Sequence, residues 1–89
     1  MAAVVVRLSA ALLYPAGQAD AHCSGTTVAE VIADCCAAHP GLAGRVLDDD
    51  GRQLVGIFLN GRSIRQLAGL ETPVSDGDEI RLTPPIAGG

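Results

Sequence analysis

The chain contains no lysine and no tryptophan. Its six basic residues are all arginine, and they are scattered from Arg7 to Arg81. Tyr14 and Phe58 are the only aromatic residues. With a net charge of −4 and no basic stripe, phosphate neutralisation and base stacking are both poorly served, which argues against nucleic acid as a partner. The acidic balance suits a partner with a basic docking surface, and solubility explains it equally well.

Cysteine is also scarce. Cys23, Cys35 and Cys36 make an odd count without framework spacing, which argues against a disulfide scaffold and for a reducing, cytoplasmic setting. No apolar run approaches the length of a membrane span, so no membrane partner is expected. The first residues are apolar, but Arg7 interrupts the run and Tyr14-Pro15-Ala16-Gly17 ends it, unlike a secretory signal. The segment is expected to belong to the fold. At 89 residues the chain is one small domain with one core and no deep cleft, which makes an enzyme with its own bound cofactor an unfavourable reading. Residues 1–83 are expected to form that domain and residues 84–89 a flexible tail.

What is present is alternation and one helical stretch. Val4, Val6 and Leu8 alternate with Val5, Arg7 and Ser9, the pattern of a half-buried strand over 3–9. Residues 18–23 are expected to pair back as a hairpin. Thr27-Val28-Ala29-Glu30 has the spacing of a helix capping box. Val28, Val31, Ile32, Cys35 and His39 then recur on one helical face, and Pro40-Gly41 ends the helix. Asp48-Asp49-Asp50-Gly51 reads as a solvated turn and residues 53–59 as a strand. Asn60-Gly61 is a turn signal. Ile64, Leu67 and Leu70 sit three apart in a short helical connection. Asp76-Gly77-Asp78 is a further turn, and Ile80 and Leu82 alternate with Glu79, Arg81 and Thr83 in a last strand over 79–83. The fold class is α+β.

The sequence closes on Pro84-Pro85-Ile86-Ala87-Gly88-Gly89, directly after that strand. The prolines favour an extended path and stop the strand. Gly88 and Gly89 carry no side chain, so backbone can enter a slot closed to other residues. At about 3.3 Å per residue, the six residues reach roughly 20 Å, far enough to enter another protein's active site. An unhindered carboxylate on such a stalk can reach the α-phosphate of a bound nucleotide. A frayed terminus is the plainer alternative.

Three stretches carry a family resemblance: Ile57-Phe58-Leu59-Asn60-Gly61, the approach Leu70-Glu71-Thr72-Pro73-Val74-Ser75-Asp76-Gly77-Asp78-Glu79-Ile80, and the tail itself. With the element order, they resemble the ubiquitin-like β-grasp fold, a mixed sheet packed on one main helix. Within that fold the chain resembles the bacterial sulfur carriers related to the molybdopterin-synthase small subunit and the thiamine-pathway carrier. The resemblance implies that a ubiquitin-activating-type adenylyltransferase uses ATP to adenylate Gly89. A sulfur donor of rhodanese or cysteine-desulfurase type then leaves a thiocarboxylate, whose sulfur passes to a biosynthetic enzyme. It implies that Pro84, Pro85, Ile86, Ala87 and Gly88 thread into those partners and that the carrier is not itself an enzyme and binds no cofactor. Pro84-Pro85 is similar to the molybdopterin-synthase type, although Leu82-Thr83 stand where that type often has aromatics. The connection Asn60 to Leu70 looks more like the actinobacterial carrier that feeds a cysteine synthase, and a cysteine or secondary-metabolite pathway is favoured. The lack of lysine then has a chemical reading: no ε-amine on the chain can capture its own activated terminus. Codon bias in an Ala/Gly/Arg-rich proteome is the simpler source of that lack.

Strand alternation selects a docking face. If Ile57 and Leu59 point inward, Phe58 lies outside with Val5, Arg7 and Arg81 and is expected to anchor partners. A register shifted by one residue would bury Phe58 instead. The thiols are expected to be inert hydrophobes, with Cys35 in the core and Cys36 on its flank. No metal is expected, because His22, Cys23, Cys35 and His39 lack the paired ligand spacing of a closed zinc site. Three competing functions remain open: a protein modifier joined to target lysines, a noncatalytic subunit with its tail plugged into a larger one, and a plain binding module.

Overall fold

The computed structural model describes residues 1–8, 20–42 and 44–83. Five strands form one sheet, β1 (Ala2–Leu8), β2 (Asp20–Gly25), β3 (Gly56–Leu59), β4 (Arg62–Ser63) and β5 (Glu79–Thr83). Their spatial order is β2-β1-β5-β3-β4. The central strands β1 and β5 run parallel, and the other neighbours are antiparallel. Among the described residues one α-helix, α1 (Val28–Ala38), covers one face.

The strands obey their alternation. Val4 and Val6 of β1, Ala21 and Cys23 of β2, Ile57 and Leu59 of β3, and Ile80 and Leu82 of β5 are all buried. They meet Val28, Val31, Ile32 and Cys35 of α1, and Leu42, Val46, Val55 and Ile64 close the same core. Gly25 marks the tightest approach of sheet to helix. A Cβ there would lie 2.8 Å from both Glu30 Cβ and Val31 N, so a side chain would push α1 off the sheet.

The start of α1 differs in one detail from a capping box. Thr27 Oγ1 accepts from Glu30 N at 3.3 Å, as expected. The Glu30 carboxylate instead accepts from Thr26 N at 2.8 Å and Thr26 Oγ1 at 2.7 Å, one residue earlier than the reciprocal bond would fall. Thr27 takes part in a bridge with Pro73, and the following Val28 N donates to Thr72 O. His39, placed by periodicity on the apolar face, is the half-buried cap at the end of the helix.

Three other expectations are corrected. The second strand runs past 23 to Gly25; its described part is Asp20–Gly25, and 18 and 19 lie outside the described residues. It extends because Ala2 to Arg7 pair with Gly25 to Asp20 along their whole length. The third strand is Gly56–Leu59, shorter than 53–59. Gln53 and Leu54 belong to a local hairpin, in which Leu47 bridges Gln53 and Leu54 N donates to Val46 O at 2.8 Å. Asp48 holds the turn of that hairpin by accepting from Asp50 N and Arg52 N. The connection after Asn60-Gly61 is not one helix. It is β4 followed by two 3-10 turns, Ile64–Gln66 and Gly69–Glu71, with Ile64 buried and Leu67 and Leu70 half-buried.

Candidate functional site

The sheet face opposite α1 carries the residues that the sequence places outside. Asp20, Arg7, Arg81, Phe58 and Ser63 are successive cross-strand neighbours, one from each strand, so they form a single row across the sheet. His22, Val5 and Glu79 form the adjoining row. Phe58 and Val5 are half-buried, while their neighbours Ile57 and Val6 have no exposure at all. The unshifted register is therefore the observed one, and Phe58, Val5, Arg7 and Arg81 share one face.

The two arginines are not equivalent. Arg7 lies between two carboxylates: its Nε donates to Glu79 Oε2, and its Nη1 is 3.5 Å from Asp20. Arg81 has a looser contact, 3.7 Å from Glu79 Oε1, and its side chain is the more exposed at 60% against 48%. The hydrogen bond from Arg7, with its charge, holds the Glu79 carboxyl below the usual carboxylate range and raises the Arg7 guanidinium. Arg7 is thus committed within the fold, and Arg81 offers a charge outward.

Phe58 lies two residues along β3 from the position that pairs with the end of the described chain. Gly56 pairs with Thr83, the last residue of β5 and of the described chain. Gly89 and the threading residues Pro84, Pro85, Ile86, Ala87 and Gly88 lie outside the described residues. The approach to β5 is tightly held. Asn60, with a left-handed φ of 51°, donates from its backbone to Glu79 O, and its Oδ1 accepts from Glu79 N at 2.9 Å. Asp76 Oδ1 accepts from Ala3 N at 2.7 Å, and Gly77 N donates to Ala3 O. These bonds fix the strand that carries the tail. In the sequence Asn60 and Asp76 stand out only as turn residues; their donor and acceptor partners, Glu79 and Ala3, are remote in sequence.

The thiols lie on the other side of the sheet. Cys23 of β2 and Cys35 of α1 are both buried in the core. Burial pushes the Cys35 thiol up to about 12 and raises Cys23 and the half-buried Cys36 as well. No cluster of three or more metal-ligating side chains occurs among the described residues. No helix among them is long and apolar enough to cross a membrane.

A mixed sheet wrapped on one helix, with parallel central strands, defines the ubiquitin-like β-grasp class. The solution structure of small archaeal modifier protein 1 from Methanosarcina acetivorans superposes with a TM-score of 0.85 at 35% identity, covering 100% of this chain and 98% of that one. A chain in the crystal structure of the Amycolatopsis orientalis BexX/CysO complex gives a TM-score of 0.83 at 30% identity, covering 97% of this chain and 99% of that one. Small archaeal modifier protein 3 of Haloferax volcanii is 39% identical over 64 residues, 71% of this chain and 70% of that protein. Sulfur carrier protein CysO of Mycobacterium tuberculosis is 32% identical over 80 residues, 85% of this chain and 86% of that protein. The ThiS family model matches residues 6–89, and the chain belongs to the ThiS family of ubiquitin-like sulfur carriers.

Proposed function

We propose that this chain is a cytoplasmic sulfur carrier of biosynthesis, with the Gly89 carboxylate as its working group. An adenylyltransferase of the ubiquitin-activating type binds ATP, and the carboxylate attacks the α-phosphorus. Pyrophosphate leaves and an acyl adenylate forms. The conversion matters because a carboxylate oxygen is a poor leaving group and AMP is a good one. The outer sulfur of a persulfide on a donor of rhodanese or cysteine-desulfurase type attacks the acyl carbon and displaces AMP. A second thiol then cleaves the acyl disulfide so formed, releasing the thiocarboxylate and leaving a disulfide with the donor cysteine. The thioacid is ionised at neutral pH and its sulfur is the better nucleophile, ready for an accepting enzyme of cysteine or secondary-metabolite type. The carrier itself supplies no acid, base or bound cofactor and acts as substrate and vehicle. Phe58 and Val5 give the partner an apolar contact, and Arg81 gives it a charge.

The observation that carries this reading is the similarity to the sulfur carrier CysO over 85% of this chain and 86% of that protein. ATP–pyrophosphate exchange by an adenylyltransferase from the same organism tests it. Exchange should depend on the carrier and disappear when Gly88 and Gly89 are deleted. Exchange that survives the deletion rules out the terminal carboxylate as the group activated.

A second reading, a protein modifier joined to target lysines, is favoured by the 39% identity to small archaeal modifier protein 3. Both readings begin with adenylation. Covalent adducts of higher mass in cells separate them.

A further inference from the structure

Gly56 opens β3 opposite Thr83, the last residue of β5, and its backbone is not in the left-handed region that accounts for Gly61 or Gly77. A glycine inside a strand weakens it and often marks a close approach of other groups. Here the approaching groups are side chains. A Cβ at position 56 would fall inside the van der Waals shell of Thr83 Oγ1, 3.6 Å from Thr83 Cβ and 3.2 Å from Phe58 Cε1. The Phe58 ring therefore leans back along β3 over Gly56, while Thr83 closes over the same spot from β5. Both occupy volume that any side chain at 56 would claim. Thr83 is also the residue from which the 84–89 segment departs.

We infer that Gly56 is a positioning residue, whose missing side chain lets Phe58 and Thr83 meet so that the aromatic anchor and the root of the tail form one continuous surface. The partner that fits it has an apolar recess for the ring opening into the slot that takes the tail, with an acidic group toward Arg81. The inference rests on the carrier reading above, since it assigns Gly56 a part in presenting the tail to the activating enzyme. A side chain at 56 forces Thr83 or Phe58 to turn away and separates the two halves of the surface.

The test has two parts. In the free protein, nuclear Overhauser contacts between the Phe58 ring and Thr83 should be present, lost in Gly56→Ala, and restored in Gly56→Ala with Thr83→Ala as contacts to the alanine methyl. Their absence in the unsubstituted protein overturns the inference whatever the enzyme does. In ATP–pyrophosphate exchange, Gly56→Ala should raise KM for the carrier about tenfold, with kcat little changed, as expected for loss of binding held equally in ground and transition states. The double variant should return KM to within about twofold of the Thr83→Ala value. A normal KM in Gly56→Ala beside a raised KM in Phe58→Ala overturns the inference and leaves the carrier reading standing. Loss of the carrier reading shows differently, as exchange that ignores deletion of Gly88 and Gly89.

Discussion

Arg7 and Glu79 join the two parallel strands at the centre of the sheet, the Arg7 Nε donating to Glu79 Oε2. Asp20 on β2 approaches the same guanidinium, so three strands are tied at one point on the outer face. The pair depends on an ionised carboxylate. Glu79 titrates below its usual 4.5, first because of the hydrogen bond from Arg7. Glu30 is lowered too, through its bonds from Thr26 at the start of α1. A carboxylate lowered in the folded state adds stability that is present above its unfolded value and lost as pH falls through its folded value. Urea unfolding midpoints should hold steady from neutral pH down to about 5 and fall below about 4.5. Arg7→Gln should lower the neutral midpoint and flatten the acid slope. An unchanged slope in that variant would mean that the pair is not coupled to folding.

Neighbouring residues on β3 should behave oppositely. Ile57 has no exposure, and truncation to alanine should cost about 2–5 kcal/mol of stability. Phe58 is half-buried on the outer face, so Phe58→Ala should destabilise less and raise KM for activation about tenfold, as loss of an aromatic hot spot does. Urea unfolding and pyrophosphate exchange on the same two variants decide the matter. A sharp loss of stability in Phe58→Ala with normal exchange kinetics removes its docking role.

The thiols should be silent in the folded protein. With Cys23 and Cys35 buried and every thiol raised, a disulfide reagent at neutral pH should label Cys36 first and the other two only on unfolding. Peptide mapping of the labelled native protein reads this directly. Rapid native labelling of Cys35 would show that the helix opens away from β2 and would contradict the packing described above.

The absence of lysine should be visible as chemical inertness. Activated carrier held without a sulfur source should form no adduct with a second copy through a side-chain amine. Leu54 is 39% exposed and lies two residues from Gly56, which pairs with Thr83. Leu54→Lys should therefore create self-linked product on activation. Electrophoresis without reducing agent, with mass spectrometry of any dimer, makes the comparison. No product from Leu54→Lys would mean that protection from self-acylation is not why an amine is missing.

Much of this architecture was legible in the residues because it rests on period and burial. The alternation of Val4, Val6, Ile80 and Leu82, and the helical recurrence of Val28, Val31, Ile32 and Cys35, place each side correctly, and the placement of Phe58 follows from Ile57 and Leu59. What was not legible rests on which partners, near or remote, the backbone and side chains find. The two residues of β4 exist as a strand only because Phe58 and Leu59 pair with them. Gln53 and Leu54 have strand-like character, but Val46 and Leu47 claim their hydrogen bonds. Gly56 carries no signal of its own within the expected 53–59 strand, and its neighbours Thr83 and Phe58 are seen only in the structure. Arg7 reads as an outward charge until Glu79 and Asp20 are found on either side.

The intact mass of the protein, before and after incubation with ATP, the adenylyltransferase and a sulfur donor, tests the central claim most directly. The carrier account predicts a gain equal to replacing one oxygen by sulfur, located on the C-terminal peptide and absent when Gly89 is deleted. An unchanged mass with every ubiquitin-activating-type adenylyltransferase of the organism, under conditions in which a known carrier is converted, would contradict it.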